Sequence, residues 1–497
     1  MAASEAAVGL WLDNANVPAG SRASFRVVDP ADGTVVRSVV QGTAEDAAAA
    51  MDSAHRAQPT WEAIGGAARA KVLLRAADRL RARAEELARL MTREMGKVLH
   101  ESRGEVVGAI DNLEYYAAFG RTLTGEEVSG LPIGETQRLI WLPRGVVVAL
   151  TPWNFPAATV TRKIAPALVA GNTMVLKPSS ATPLSSLLIA ETLAAAGLPP
   201  GVLNVVSGPG ATVGPGLISH RRCSTVTLTG STASGIEVLH LAAPGVVKCL
   251  LELGGKAPVL IAPDADLDRA ARATVWARFW NSGQACIAAE RCYVPPSVGP
   301  DFVRRVTALT RALRIGPGLR PGTDIGPLYA KSARDQVAAD VTRAVSDGAK
   351  VALGGSAPTG AVYEHGAFYQ PTILTEVTPS NPISEEEIFG PVLPILTYQD
   401  FDEAVRQVNE SRYGLSSYVF TQDLALAERT IRSIRYGETY INRAGPENPQ
   451  GYHAGFRQSG LAGEGTVWGV RDYLQLKSVY VDWKDHPVPD DFPYSDP

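Results

Sequence analysis

Three short stretches hold the side chains best suited to chemistry. The first is Asn281-Ser-Gly-Gln-Ala-Cys-Ile-Ala-Ala-Glu-Arg-Cys292, in which Gly283, Gln284 and the alanines leave the sulfur of Cys286 uncrowded. Cysteine is the strongest side-chain nucleophile near neutral pH, but only as the thiolate, and a lone cysteine also serves as a small buried hydrophobe. The second stretch, Leu251-Glu-Leu-Gly-Gly-Lys-Ala-Pro258, sets Glu252 at the end of an apolar run. Desolvation there raises a carboxyl pKa toward the range of a general base, whereas pairing with a cation would make it structural. The third, Thr151-Pro-Trp-Asn-Phe-Pro156, offers Asn154, whose amide can face a developing oxyanion or cap a turn. Together the three allow one reaction. Cys286 adds to a carbonyl, Asn154 and the Cys286 backbone N–H steady the alkoxide, and Glu252 activates the water that releases the acyl group.

These side chains need a scaffold, and the chain between residues 146 and 252 supplies one. Apolar runs at 146–150, 174–177, 203–207, 225–229 and 248–252 alternate with helical periods at 157–170, 184–196, 211–219 and 234–242. Such alternation predicts a parallel sheet covered on both faces, with ligands at the carboxyl ends of its strands. A second alternating region starts at Ala257, with helices at 267–279, 300–313, 332–347, 401–411 and 424–434 and strands at 417–420 and 438–441. Upstream, residues 1–42 read as short strands and turns, and Thr43-Ala-Glu-Asp46 opens a helix with an acidic first turn. Apolar residues from 67 to 97 mark the face of one long helix, and another spans 104–119. The stretch from 482 to 497 is acidic and rich in proline, which predicts an extended tail. The fold class expected is α/β, as two doubly wound domains with a small β element.

A chain of 497 residues exceeds one core, and 45% apolar with 20% charged residues is ordinary for a soluble protein. A net charge of −4 gives no footprint for nucleic acid, and no apolar run approaches the roughly 20 residues that span a membrane. The four cysteines lack metal-ligand spacing or a disulfide framework, so no metal is expected and a cytoplasmic location follows. Gly208-Pro-Gly-Ala-Thr-Val-Gly214 is one residue too long for a dinucleotide fingerprint, and Gly254-Gly-Lys256 lacks the rest of a P-loop. Gly230-Ser-Thr-Ala-Ser-Gly235 follows a strand and opens a helix whose amides suit a pyrophosphate, although a glycine-rich helix start is often only structural.

With the three stretches taken together, the chain resembles the aldehyde dehydrogenase superfamily over nearly its whole length. The resemblance implies an NAD(P)-binding domain at 1–124 and 146–256 and a catalytic domain at 257–460. It also implies a hairpin and arm at 125–145 and 461–497 that pair subunits into a dimer or tetramer. The implied reaction takes hydride from a Cys286 thiohemiacetal to a nicotinamide, leaving a thioester that Glu252 helps to hydrolyse. Thr151, Pro152, Trp153, Ser179, Gly210, Gly214, Gly230 and Ser231 then line the cofactor groove, with Trp153 and Ser231 along the pyrophosphate. Lys177 faces the adenosine ribose, while Glu387 and Phe389 hold the nicotinamide ribose. NAD-specific members usually carry Glu where this chain has Ser180. Without that carboxylate the 2′-phosphate of NADP is not repelled, so NAD or NADP is expected, with NADP tolerated.

Most members have Pro-Phe-Gly-Gly where this chain has His453-Ala-Gly-Phe456. With Gly437-Glu-Thr-Tyr-Ile-Asn-Arg443, this resembles the lactaldehyde/glycolaldehyde dehydrogenase branch. The resemblance makes Arg162, Glu447 and His453 contacts of a small hydroxyaldehyde, with Phe155 and Ile287 on the same pocket. Ile287 departs from that branch, which has Asn beside the nucleophile. A guanidinium at 162 equally suits an anionic aldehyde such as sulfolactaldehyde or a semialdehyde. A non-catalytic descendant would have lost Cys286, Glu252 or Asn154, and a cofactor-free thiol esterase would not need Lys177, the Gly230 loop or Glu387.

Overall fold

The computed structural model describes residues 7–483, so the proline-rich tail lies outside the described residues from 484 onward. The five apolar runs become the parallel centre of an eight-stranded sheet. In order across it lie Ala15–Val17, Leu10–Leu12, Leu203–Val205, Thr173–Lys177, Val146–Leu150, Cys223–Thr229, Lys248–Glu252 and Gly460–Leu461. Short antiparallel strands close both edges. Side chains alternate along each strand, so Val147 and Ala149 enter one core while Val146 and Val148 enter the other. Helices Gly66–Ala82, Ala84–Met95, Ala158–Val169 and Pro183–Ala195 cover the first face. Helices Ala44–Ala63, Gly210–Ile218 and Thr232–Ala242 cover the second.

The register fixes the site. Leu150 lies opposite both Lys177 and Leu228, and Thr229 lies opposite Glu252. The carboxyl ends of four strands therefore finish level, which brings Thr151, Lys177, Gly230 and Glu252 to one rim.

Two expectations are corrected. The long helix at 67–97 is two helices, Gly66–Ala82 and Ala84–Met95, because Arg83 leaves the helical region at φ −105°, ψ 15°. Glu85 and Glu86 give the second helix its own acidic first turn, and Arg83 Nε donates to Glu86 at 2.8 Å. The helix expected at 104–119 is longer, Leu99–Thr122. The opening at Thr43 holds: the Asp46 amide donates to Thr43 Oγ1 at 3.2 Å, and the Thr43 amide donates to Asp46 Oδ2 at 3.0 Å.

The second region is a seven-stranded sheet of Lys350–Leu353, Thr372–Val377, Val392–Thr397, Ala289–Val294, Ala257–Ile261, Ser416–Phe420 and Glu438–Ile441. The first five are absent from the sequence reading. Pro258 and Pro394 interrupt two of them, and Glu290 and Arg291 put charges into a third. Both charges are buried, so pairing and not polarity of the surroundings explains their place in a central strand. A three-stranded sheet joins Leu474–Asp482, Glu135–Pro143 and Glu126–Val128. Among the described residues no helix is long and apolar enough to cross a membrane.

Candidate active site

A groove of about 490 Å³ runs along the strand ends. Its lining includes all ten positions read for it from the sequence between 151 and 231: Thr151, Pro152, Trp153, Lys177, Ser179, Ser180, Gly210, Gly214, Gly230 and Ser231. Ser231 caps helix Thr232–Ala242, its Oγ accepting from the Ser234 amide at 3.2 Å, so the helix amides open onto the groove. Lys177 is 8% exposed, and burial lowers its pKa to about 8. Its Nζ donates to Pro178 O at 3.0 Å, which uses one of three donors. A buried ammonium with hydrogen bonds to spare fits a ribose, so these residues suit a dinucleotide. Ser180 Oγ donates to Gly208 O at 3.0 Å and brings no charge to this end.

The cysteine loop departs from regular structure before the sulfur. Asn281, Ser282 and Gly283 are all left-handed, at φ 52°, 55° and 76°. Such a run is costly for Asn and Ser, and hydrogen bonds hold it. Asn281 Nδ2 donates to Asn154 O and to Gln284 O, both at 3.1 Å. Asn154 Nδ2 donates to Gln284 O at 3.0 Å. The amide of Asn154 is thus fixed two residues from Cys286, with its second N–H not required by that bond.

Beneath the loop sits a buried ionic knot. Glu290 accepts from Lys256 Nζ and Arg278 Nη1, each at 2.7 Å, and their charges hold its pKa down at about 2 although burial opposes this. It also accepts the amides of Ile388 at 3.0 Å and Phe389 at 3.3 Å, while Arg278 donates to Gly283 O at 2.8 Å. The knot therefore braces the loop of Cys286 and the loop of Glu387 and Phe389 at once. Phe389 meets Trp153 edge-on at 5.5 Å, beside the groove. Glu387 accepts the Gly255 amide at 2.8 Å, and burial lifts its pKa to about 7. Neither lines the groove itself.

Cys286 opens into a pocket of about 680 Å³, which Phe155, Arg162, Ile287, Glu447 and His453 also line. All five positions read as substrate contacts thus line the pocket into which the sulfur opens. Trp276 and Trp280 stack at 5.1 Å and 14°, and Trp280 meets Phe155 at 4.8 Å, forming an aromatic wall. The polar side is a charge network. Arg162 is bonded to Glu447, with Glu464 at 3.9 Å, and Lys163 holds Glu464 at 2.5 Å. His453 Nδ1 lies 2.9 Å from Glu438 and 3.9 Å from Glu447, and its Nε2 lies 3.6 Å from Glu252. Glu252 is 3% exposed, and neither carboxylate oxygen has a hydrogen-bond partner among the described residues. Burial lifts its pKa to about 8. A buried carboxyl of that pKa, with no hydrogen bond to its oxygens, is suited to take a proton from water.

The sequence profile of the Aldehyde dehydrogenase family matches residues 17–479. The chain belongs to the aldehyde dehydrogenase family. As an aldehyde dehydrogenase it is an NAD(P)-dependent oxidoreductase, and its α/β fold is that of the family. It is 41% identical over 479 residues to a D-glyceraldehyde dehydrogenase (NADP(+)) of Picrophilus torridus, covering 96% of this chain and 95% of that one. It is 41% identical over 466 residues to a 3,6-anhydro-alpha-L-galactose dehydrogenase of Streptomyces coelicolor, covering 93% and 94%. The crystal structure of lactaldehyde dehydrogenase from Escherichia coli superposes with a TM-score of 0.93 at 40% identity, covering 96% and 99%.

Sequence reading missed Glu438, Glu464, Lys163 and the knot around Glu290. Lys163 carried a signal, since a lysine within the apolar helix Ala158–Val169 must find a buried partner. Glu438 opens a strand and Glu464 ends a two-residue strand, positions where a carboxylate is usually exposed, so neither stood out.

Proposed function

We propose that this aldehyde dehydrogenase oxidises a small neutral hydroxyaldehyde, such as glyceraldehyde, lactaldehyde or glycolaldehyde, to its carboxylate, accepting NADP as well as NAD. The observation that carries this reading is the pairing of Arg162. Its guanidinium already meets Glu447, with Glu464 behind it, so the pocket offers no surplus positive charge to an anionic substrate. Its remaining N–H groups and the His453 ring still suit hydroxyls. A semialdehyde carboxylate or a sulfonate would have to face Glu447. The names of the Picrophilus and Escherichia relatives support a hydroxyaldehyde, and the former supports NADP. Ser180 supports it too, because a serine there neither grips a 2′-hydroxyl strongly nor repels a 2′-phosphate.

In this reading Cys286 attacks the aldehyde carbon, and the Asn154 amide with the Cys286 backbone N–H receives the alkoxide. When bound, the nicotinamide supplies the acceptor for hydride. Glu252 then removes a proton from the water that hydrolyses the Cys286 thioester. Thr151, Trp153, Lys177 and Ser231 would hold the dinucleotide, with Glu387 and Phe389 at its nicotinamide end. The domain limits given from the sequence go with this reading. The exposed edge strand Leu474–Asp482 and its partner Glu135–Pro143 would pair subunits into a dimer or tetramer. Four free cysteines support a reducing, cytoplasmic location.

The test is turnover on glyceraldehyde, lactaldehyde and glycolaldehyde against hexanal, succinic semialdehyde and sulfolactaldehyde, with both cofactors. The hydroxyaldehydes should have the highest kcat/KM, with NADP active. A clear preference for hexanal or for an anionic aldehyde would reject the polar neutral pocket.

A further inference from the structure

We propose that Glu101 is a positioning residue for the reaction, which holds the main chain of Asn281 and so sets the Asn154 amide against the loop of Cys286. The inference rests on the reading of Cys286 as nucleophile and Asn154 as alkoxide donor, but not on which aldehyde is taken. Glu101 comes from outside the three reactive stretches, 180 positions before Asn281 in the chain.

The contacts run in series from the carboxylate to the site. Glu101 lies in the first turn of helix Leu99–Thr122, half-buried, and lines the pocket into which Cys286 opens. The Asn281 amide donates to both carboxylate oxygens, at 3.1 Å and 3.2 Å. A hydrogen bond to an ionised acceptor is roughly twice as strong as a neutral one, which suits a residue held left-handed against its steric preference. With its main chain fixed, Asn281 turns its side-chain amide to Asn154 O and Gln284 O. Its own carbonyl accepts from the Gln284 amide at 3.0 Å and from Gln284 Nε2 at 3.1 Å. Asn154 Nδ2 donates to the same Gln284 O at 3.0 Å. The alkoxide donor and the turn before the sulfur thus hang together on Asn281, and Glu101 anchors Asn281.

The same helix holds the far side of the Asn154 turn. Glu105, one helical turn beyond Glu101, accepts the amides of Ala157 at 2.8 Å and Ala158 at 3.1 Å. Lys97 pairs with Glu105 and sets its Nζ 3.7 Å from the centre of the Phe155 ring. The two carboxylates are about 6 Å apart along the helix axis. The separation of the Asn154 turn from the cysteine loop is therefore measured against a rigid rod, not against either loop. Misplacing reacting groups by about 1 Å costs on the order of 10²-fold in rate, which is the scale on which such a rod matters.

The measurement is the first-turnover burst of reduced cofactor when enzyme loaded with NADP is mixed rapidly with glyceraldehyde. E101M keeps the length of the side chain and removes the acceptor. It should slow the burst by about 10- to 100-fold with KM little moved. E101Q keeps an oxygen where the Asn281 amide needs one and should recover most of that loss. E101A repeats the test should the methionine variant fail to fold. N154A should slow the burst by about 10²–10³-fold, and adding E101M to it should cost much less than E101M costs alone. An undiminished burst in a folded variant without the acceptor would overturn the proposal, as would a loss that multiplies in full with N154A. A raised KM alone would overturn it too, making Glu101 a wall of the pocket. N154A at the wild-type rate would overturn the reading of Asn154 and the proposal with it. A merely structural glutamate would lower thermal stability and leave the burst in place.

Discussion

The groove at the strand ends is lined by one buried lysine, one exposed carboxylate, Glu237, and otherwise uncharged residues, whereas the pocket of Cys286 borders a linked network of Arg162, Lys163, Glu252, Glu438, Glu447, His453 and Glu464. The two regions share the rim of one sheet but treat charge differently. A dinucleotide carries its own charges, so its groove needs oriented amides and little else. The pocket must create and discharge an alkoxide and a carboxylate within itself, and buried charges persist there only when paired. Glu252 is the least tied of them: its oxygens make no hydrogen bond among the described residues, and its nearest charged neighbour is the His453 ring at 3.6 Å.

Substitutions can test that contrast, beginning where the effect should be largest. Cys286→Ala should abolish aldehyde oxidation, by on the order of 10⁴-fold or more in kcat, while cofactor still binds the groove. Reduced-cofactor absorbance and fluorescence titration check the two halves separately, and weakened cofactor binding would show that the regions are not independent. Glu252→Gln should slow acyl release by about 10²–10⁴-fold and leave a first-turnover burst. In the wild type, acyl release should rise as pH passes through about 8, because Glu252 acts only when deprotonated. The glutamine variant should lose that rise.

Glu290→Ala tests the brace that joins the two regions. Removing it strands Lys256 and Arg278 without their anion and should cost about 3–5 kcal/mol in urea unfolding. The sign of the pH effect follows from the depressed pKa. Stability from Glu290 is complete above the unfolded value near 4.5 and drains away as pH falls toward about 2. The variant should lack that acid-side loss. Ser180→Glu should give the smallest effect, a shift of roughly 10- to 100-fold from NADP toward NAD, the worth of one hydrogen bond to a charged group. Paired kcat/KM values read it directly, and an unchanged ratio would mean that the serine does not set cofactor choice.

The same contrast explains what could be read from sequence. Groove residues come in contiguous motifs at strand ends, so Thr151–Trp153, Lys177–Ser180 and Gly230–Ser231 were legible together. Cys286, Glu252 and Asn154 were legible as candidates from their own stretches, whereas Arg162, Glu447 and His453, like the roles of most groove residues, were legible only where a resemblance supplied their context. Glu438 and Glu464 were not, because a carboxylate at a strand end is usually solvated. Strands Ala289–Val294 and Val392–Thr397 escaped for a related reason. Glu290 in the first looks wrong for a central strand until its pairing with Lys256 and Arg278 explains it, and Pro394 breaks the pattern of the second.

One feature of the cysteine loop reaches further. A side chain at Gly283 would strike the carbonyl of Gly390, the residue directly after Phe389. Two polypeptide turns, more than 100 positions apart in the chain, are thereby pressed together main chain to main chain. The spacing between the loop of Cys286 and the loop of Phe389 is then gauged by the thickness of a bare backbone. Even an added methyl would act as a shim, moving both parts of the machinery out of alignment while leaving every reactive group in place.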